Sequence, residues 1–118
     1  MKYLVLLIGD GDVPDWGSLS AEEHVAIMKQ FDAFDAACAG RDGVEILSGE
    51  ALDAPSSATT VRHRSGERTI TEGPYAEAIE GLGGYYLIES PDLDTVIELL
   101  EVLPPYDIQI LPTVDPVA

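Results

Sequence analysis

Two runs in this chain, Tyr3-Leu4-Val5-Leu6-Leu7-Ile8 and Tyr85-Tyr86-Leu87-Ile88, are apolar at every position. A strand sends alternate side chains to opposite faces of its sheet, so a run that is apolar in both sets needs cover on both faces. The first run is therefore expected to be central in its sheet. The sequence holds only two helical patterns, and two helices cover one sheet face. The other face must meet a second apolar surface, and a second copy of the same sheet is the economical partner, so a homodimer is expected.

The first helix is announced by Ser20 and Glu23, the spacing of a capping box, and runs to about Ala39 before Gly40 ends it. His24, Ile27, Phe31, Phe34 and Cys38 form its apolar stripe, with Val25 and Met28 at the edge. The second is expected to start with Ser90 as cap and Pro91 in the first position, with Leu93, Val96, Ile97, Leu100 and Leu103 as its stripe until Pro104-Pro105. Val44 to Glu50 reads as a strand, and Tyr106, Ile108 and Ile110 mark a last, half-buried one closed by Pro112. Thr59 to Arg64 and Glu67 to Thr71, joined by Ser65-Gly66, predict a hairpin rich in β-branched residues. Its arginines and the nearby acidic residues Glu72, Glu77 and Glu80 either offset one another or stand solvated. The expected architecture is α+β over a single domain, residues 1–118. It is a ferredoxin-like core of the dimeric α+β barrel type, with a mixed, mostly antiparallel sheet, two helices on one face and an added hairpin.

Charge narrows the partners. With 22 acidic residues against 6 basic ones the net charge is −16, which opposes phosphate backbones and anionic lipid heads, so neither nucleic acid nor membrane is expected as a partner. One cysteine, Cys38, and two histidines, His24 and His63, form no metal-ligand spacing and no intrachain disulfide, so no metal or cofactor is expected and a cytoplasmic location fits. Tyr3 to Ile8 is too short for a secretory core and reads as a strand. The acidic loop Gly9 to Asp15 would need an oxygen ligand at Pro14 and a glycine at Asp15 to hold calcium as an EF-hand does, so it reads as a solvated turn.

Between Thr71 and Glu89 the chain turns and re-enters the sheet. Pro74 fixes its own φ and lacks an N–H, and Gly73 before it reaches dihedrals closed to other residues, so the preceding strand stops there. Gly81-Leu82-Gly83-Gly84 could suggest a phosphate loop, but such loops open a helix and this one opens a β-rich run. Glu72-Gly73-Pro74-Tyr75-Ala76-Glu77 followed by Leu82-Gly83-Gly84-Tyr85-Tyr86-Leu87-Ile88-Glu89 resembles the signature of the YCII-related proteins, in the branch named for its DGPF-like motif. Glu72 stands where that motif usually has Asp, Tyr75 where it has Phe, and Ile79 where Lys is common. The resemblance implies a dimeric ferredoxin-like protein, related in shape to cofactor-free monooxygenases and small isomerases. It also implies association, for some members, with sigma factors of the extracytoplasmic-function type.

The other branch of the family is known for a His–Asp pair with its His on the first helix, and His24 resembles that His in position. Asp35 lies on a similar helical face but three turns on, ~16 Å along the axis, too far for a direct hydrogen bond. His24 reads two ways: as a general base in a partly apolar pocket, or as the fourth helical residue packing on Leu19 in a hydrophobic staple. The candidate ligand-binding residues are Glu72, Gly73, Pro74, Tyr75, Tyr85 and Tyr86, with His24 as the catalytic candidate. Three classes stay open: a small-molecule-binding or cofactor-free enzyme-like dimer, a non-catalytic regulatory module docking a basic partner such as a sigma factor, and a purely structural dimer. A convergent pocket holding His24 and Tyr75 would favour chemistry, and an apolar groove without titratable groups would favour binding.

Overall fold

A computed structural model describes residues 1–9, 16–75 and 81–117. Strand β1 (Lys2–Ile8) precedes helix α1 (Ala21–Ala39) and strand β2 (Glu45–Ala51). The paired strands β3 (Thr59–Arg64) and β4 (Glu67–Glu72) come next, then β5 (Leu82–Glu89), α2 (Leu93–Leu100) and β6 (Asp107–Pro112). The main sheet has the order β2-β5-β1-β6. All of its described pairings are antiparallel, where the sequence suggested a mixed sheet. The arrangement is α+β and consistent with a ferredoxin-like fold. The two runs apolar on both faces, β1 and β5, take the inner positions.

Register assigns the faces. Tyr3, Val5 and Leu7 of β1 stand opposite Ile88, Tyr86 and Gly84 of β5, and with Ile108 and Ile110 of β6 they face the helices. There they pack with Phe34 and Cys38 of α1 and Val96, Leu99 and Leu100 of α2. Phe34 is fully buried, its ring 5.0 Å from that of Tyr86, and truncating such a residue to alanine typically costs about 3–5 kcal/mol. Gly49 of β2 stands opposite Tyr86, and a Cβ there would lie 2.7 Å from the Tyr86 ring, so the aromatic side chain occupies space only a glycine leaves.

Among the described residues the opposite face carries no helix. Its rows read Ser48, Leu87, Leu4 and Leu111 across the strands, then Glu50, Tyr85, Leu6 and Gln109. Glu45, Glu89 and Lys2 border it at one end, and Ile8 beside Asp107 at the other. An apolar centre thus sits inside a mainly acidic border.

Helix α1 has the bounds the sequence predicts. Ser20 accepts from the Glu23 N–H, and the Glu23 carboxylate accepts from the Ser20 N–H. Helix α2 departs from expectation. Asp92, not Ser90, is the cap, its carboxylate accepting from the Thr95 N–H at 2.8 Å and from the Thr95 hydroxyl at 2.7 Å, and Pro91 lies outside the helix. Ser90 is buried instead, its N–H donating to the Met1 carbonyl and its hydroxyl to the Asp92 carbonyl. The helix also ends at Leu100, with tighter turns carrying Leu103 into the core, so its buried stripe takes in Leu99 and leaves Leu93 and Ile97 outside. Tyr106 precedes β6 rather than belonging to it, and packs on Phe31 with ring centroids 6.2 Å apart.

Strands β3 and β4 form a separate two-stranded sheet joined through Ser65 and Gly66, both at positive φ. All six residues of β4 are exposed. This arm helps to make the molecule broad, 50 by 47 by 18 Å, with a radius of gyration of 16.4 Å where about 13–14 Å is usual for this length.

Candidate functional site

The turn after β4 is fixed by groups at the arm base. Gly73 has φ +103°, a conformation closed to most side chains, and its N–H donates to the Ala58 carbonyl at 2.7 Å. Its own carbonyl accepts from the buried Thr60 hydroxyl at 2.6 Å. Both hydrogen bonds tie the turn to the segment entering β3, so Pro74 and Tyr75 leave the ribbon in a set direction. Arg62 then reaches over: its guanidinium donates to Thr71 Oγ1 at 3.0 Å and to the Tyr75 carbonyl at 3.2 Å, and lies 5.2 Å from the Tyr75 ring centroid. Tyr75 is 58% exposed yet held on its backbone and on one ring face.

Beside it lies an open groove of about 490 Å³ between the arm base and the end of the main sheet. Leu52 and Leu82 line the sheet side; Ala54, Pro55 and Ala58 form the floor; Thr59, Thr60, Val61, Pro74 and Tyr75 line the arm side. Asp53 and Ser57 complete the lining. The Asp53 carboxylate accepts from the Ala54 N–H at 2.7 Å and from the Ser57 hydroxyl at 3.0 Å, which ties it to its own turn. The walls are largely apolar with few polar groups, and the groove lies wide open to solvent.

The residues singled out in the sequence divide. Gly73, Pro74 and Tyr75 come together at the groove, with Pro74 and Tyr75 in its wall. Glu72 ends β4 opposite Thr59 and is exposed. Tyr85 and Tyr86, neighbours in β5, point to opposite faces and share no site. Tyr85 lies on the open sheet face with its hydroxyl 2.9 Å from that of Ser48, whereas Tyr86 packs in the core and burial pushes its hydroxyl up to about 12. His24 sits half-buried in the first turn of α1 and is not among the lining residues. Among the described residues no hairpin arginine forms an ion pair with a carboxylate; the ion pairs there are Met1 ammonium–Glu89 and Arg41–Glu98, both at 3.0 Å. Arg62 instead spends its donors on a hydroxyl and a carbonyl, because the turn brings those to it first. The acidic loop from Asp10 to Asp15 and the motif positions Ala76, Glu77, Ile79 and Glu80 lie outside the described residues.

The YCII-related domain matches residues 1–112, nearly the whole chain and all of its described secondary structure. The chain belongs to the YCII-related family. It is also 35% identical over 101 residues to an uncharacterized protein of Rhizobium meliloti (strain 1021), with 83% of this chain and 76% of that one aligned.

Sequence reasoning missed part of this YCII-related groove. Arg62 was visible only as one of several hairpin arginines, and of the floor segment only Asp53 to Ser57 reads from the sequence, as a loop with a proline. Asp53-Ala54-Pro55 was a readable turn signal, but nothing local says which strand end the turn will face.

Proposed function

We propose that this YCII-related chain is a homodimeric small-molecule-binding protein of the DGPF-like branch, dimerised through its open sheet face. Its ligand sits in the groove at the arm base, with Gly73 and Pro74 setting the wall, Tyr75 as an aromatic contact and Glu72 at the margin. The observation that carries this reading is the groove itself: seven apolar residues, a Tyr75 held by Arg62, and an Asp53 already engaged in its turn. A neutral, largely aromatic molecule of one or two rings matches that lining.

Chemistry through His24 draws no support from the groove, because the side chain is absent from its wall and Asp53, the titratable group that lines it with Tyr75, is already tied to its own turn. Binding is thus favoured over catalysis. The test is an NMR titration of the intact protein with 2-naphthol as probe. Shifts confined to Leu52, Ala58, Val61, Tyr75 and Leu82, weakened about tenfold by Tyr75→Ala and unchanged by Tyr85→Phe, are the expected outcome. Saturable shifts on the open sheet face instead, or none, would overturn it.

A further inference from the structure

The β3–β4 arm is the part of the fold that the groove leaves unexplained. A two-stranded ribbon is marginal in water, and among the described residues this one pairs with no third strand. Thr59 to Val61 line the groove, and the remaining three residues of β3 carry the ribbon about 10 Å past it. One face of the arm presents Val61 opposite Ile70, which are 49% and 59% exposed, followed by His63 opposite Arg68 near the tip. An apolar pair thus leads into a basic end.

Charge is divided in the same way. The arm holds Arg62, Arg64 and Arg68 against Glu67 and Glu72, a net of +1, so the remainder carries −17 where the whole chain carries −16. Two open sheet faces brought together would set like-charged borders against each other: exposed Glu45 and Glu50 on the β2 edge and Asp107 on β6, relieved only by Lys2 on the same face and by the Met1 ammonium at Glu89. A two-fold dimer needs a surface that complements itself, and a basic arm with an acidic border supplies both halves.

We infer that the arm is a dimer clasp: Val61 and Ile70 of one copy pack at the edge of the second copy's open face, and Arg68, on the same ribbon face, meets its acidic border at Glu45 and Glu50. This rests on the homodimer reading above. The arm gains through the second copy the packing that its own chain withholds, and the acidic border gains the cations it lacks.

Charge reversal in the intact protein separates the clasp from a net-charge effect. The dimer Kd is measured by sedimentation at fixed salt for the unaltered chain, for R68E, for E45R/E50R, and for the three changes combined. The clasp predicts that R68E alone and E45R/E50R alone each weaken the dimer about tenfold or more and that the combination restores it. E45R/E50R is the decisive arm, since it lowers the net negative charge and would tighten the dimer if only overall repulsion mattered. Tightening by that variant, or a combined variant showing merely the sum of the two changes, overturns the clasp while leaving the sheet-face dimer intact. An unaltered chain that stays monomeric at 100 µM overturns the dimer reading itself.

Discussion

The Arg62 guanidinium lies 5.2 Å from the centroid of the Tyr75 ring while donating to the Tyr75 carbonyl at 3.2 Å, so one arm residue fixes both the backbone and the ring of the groove's aromatic wall. Arg62→Ala removes both contacts and the hydrogen bond to Thr71. The expected loss is about 1 kcal/mol of local stability, with a change in the Tyr75 ring resonances and weaker binding of the aromatic probe. Arg62→Lys should restore little, because an ammonium cannot span the Thr71 hydroxyl and the Tyr75 carbonyl as a planar fork does. Unchanged Tyr75 resonances in Arg62→Ala would contradict the arrangement.

Gly49→Ala is expected to destabilise the protein by about 1–3 kcal/mol in chemical denaturation, because the new methyl group would meet the Tyr86 ring at 2.7 Å in a packed core. Gly66→Ala, with nothing near the new Cβ, would strain only the backbone at φ +81°. Equal unfolding midpoints for Gly49→Ala and the unaltered chain would show that Tyr86 does not fill that space.

Alkaline pH should unfold the protein by a route set in the core. Burial, with Asp35 nearby, raises the Cys38 thiol from 9.0 to about 11, and burial raises the Tyr86 hydroxyl from 10.0 to about 12. The unfolded chain therefore loses these protons first, so between pH 9 and 12 it binds fewer protons than the folded state and stability falls as pH rises. Cys38→Ala should delay the onset of that fall from about pH 9 to about pH 10, as read from melting temperature against pH. In the native state Cys38 should react with a thiol reagent only at the rate of unfolding.

Acid acts through the caps. Hydrogen bonds from Thr95 hold the Asp92 carboxyl below its ordinary value, and hydrogen bonds from Ser20 do the same for Glu23. Their stabilisation is present above the unfolded-state values and is lost as pH falls through the lower folded-state ones. Asp92→Asn should keep the cap but flatten the acid limb of the stability profile, and an unchanged limb would contradict this.

Where local chemistry decides structure, the sequence was informative. Ser20 and Glu23 marked the start of α1, and the run at Tyr3 marked a central strand, because a cap and a two-sided apolar pattern are each complete within a few residues. The second helix was misread because Ser90 and Asp92 are both good caps, and the choice rests on a distant contact, the Ser90 N–H pairing with the Met1 carbonyl. The stripe then rotated with it. For the groove, Gly73-Pro74-Tyr75 was legible as a turn, but its opposite wall comes from Leu52 and Leu82, which only the β2–β5 pairing brings alongside. Tyr85 and Tyr86 were read as one site, although strand alternation alone sends neighbours to opposite faces.

Solution mass tests the central claim most directly. Light scattering on the intact protein at 50 µM should return twice the chain mass of 12.6 kDa. Leu6→Asp places a carboxylate at the centre of the open face, in the row with Tyr85 and Gln109, and should halve that mass while leaving the far-ultraviolet circular dichroism of a folded chain. A mass of 12.6 kDa for the unaltered protein, or an undiminished dimer in Leu6→Asp, would contradict dimerisation through the open sheet face.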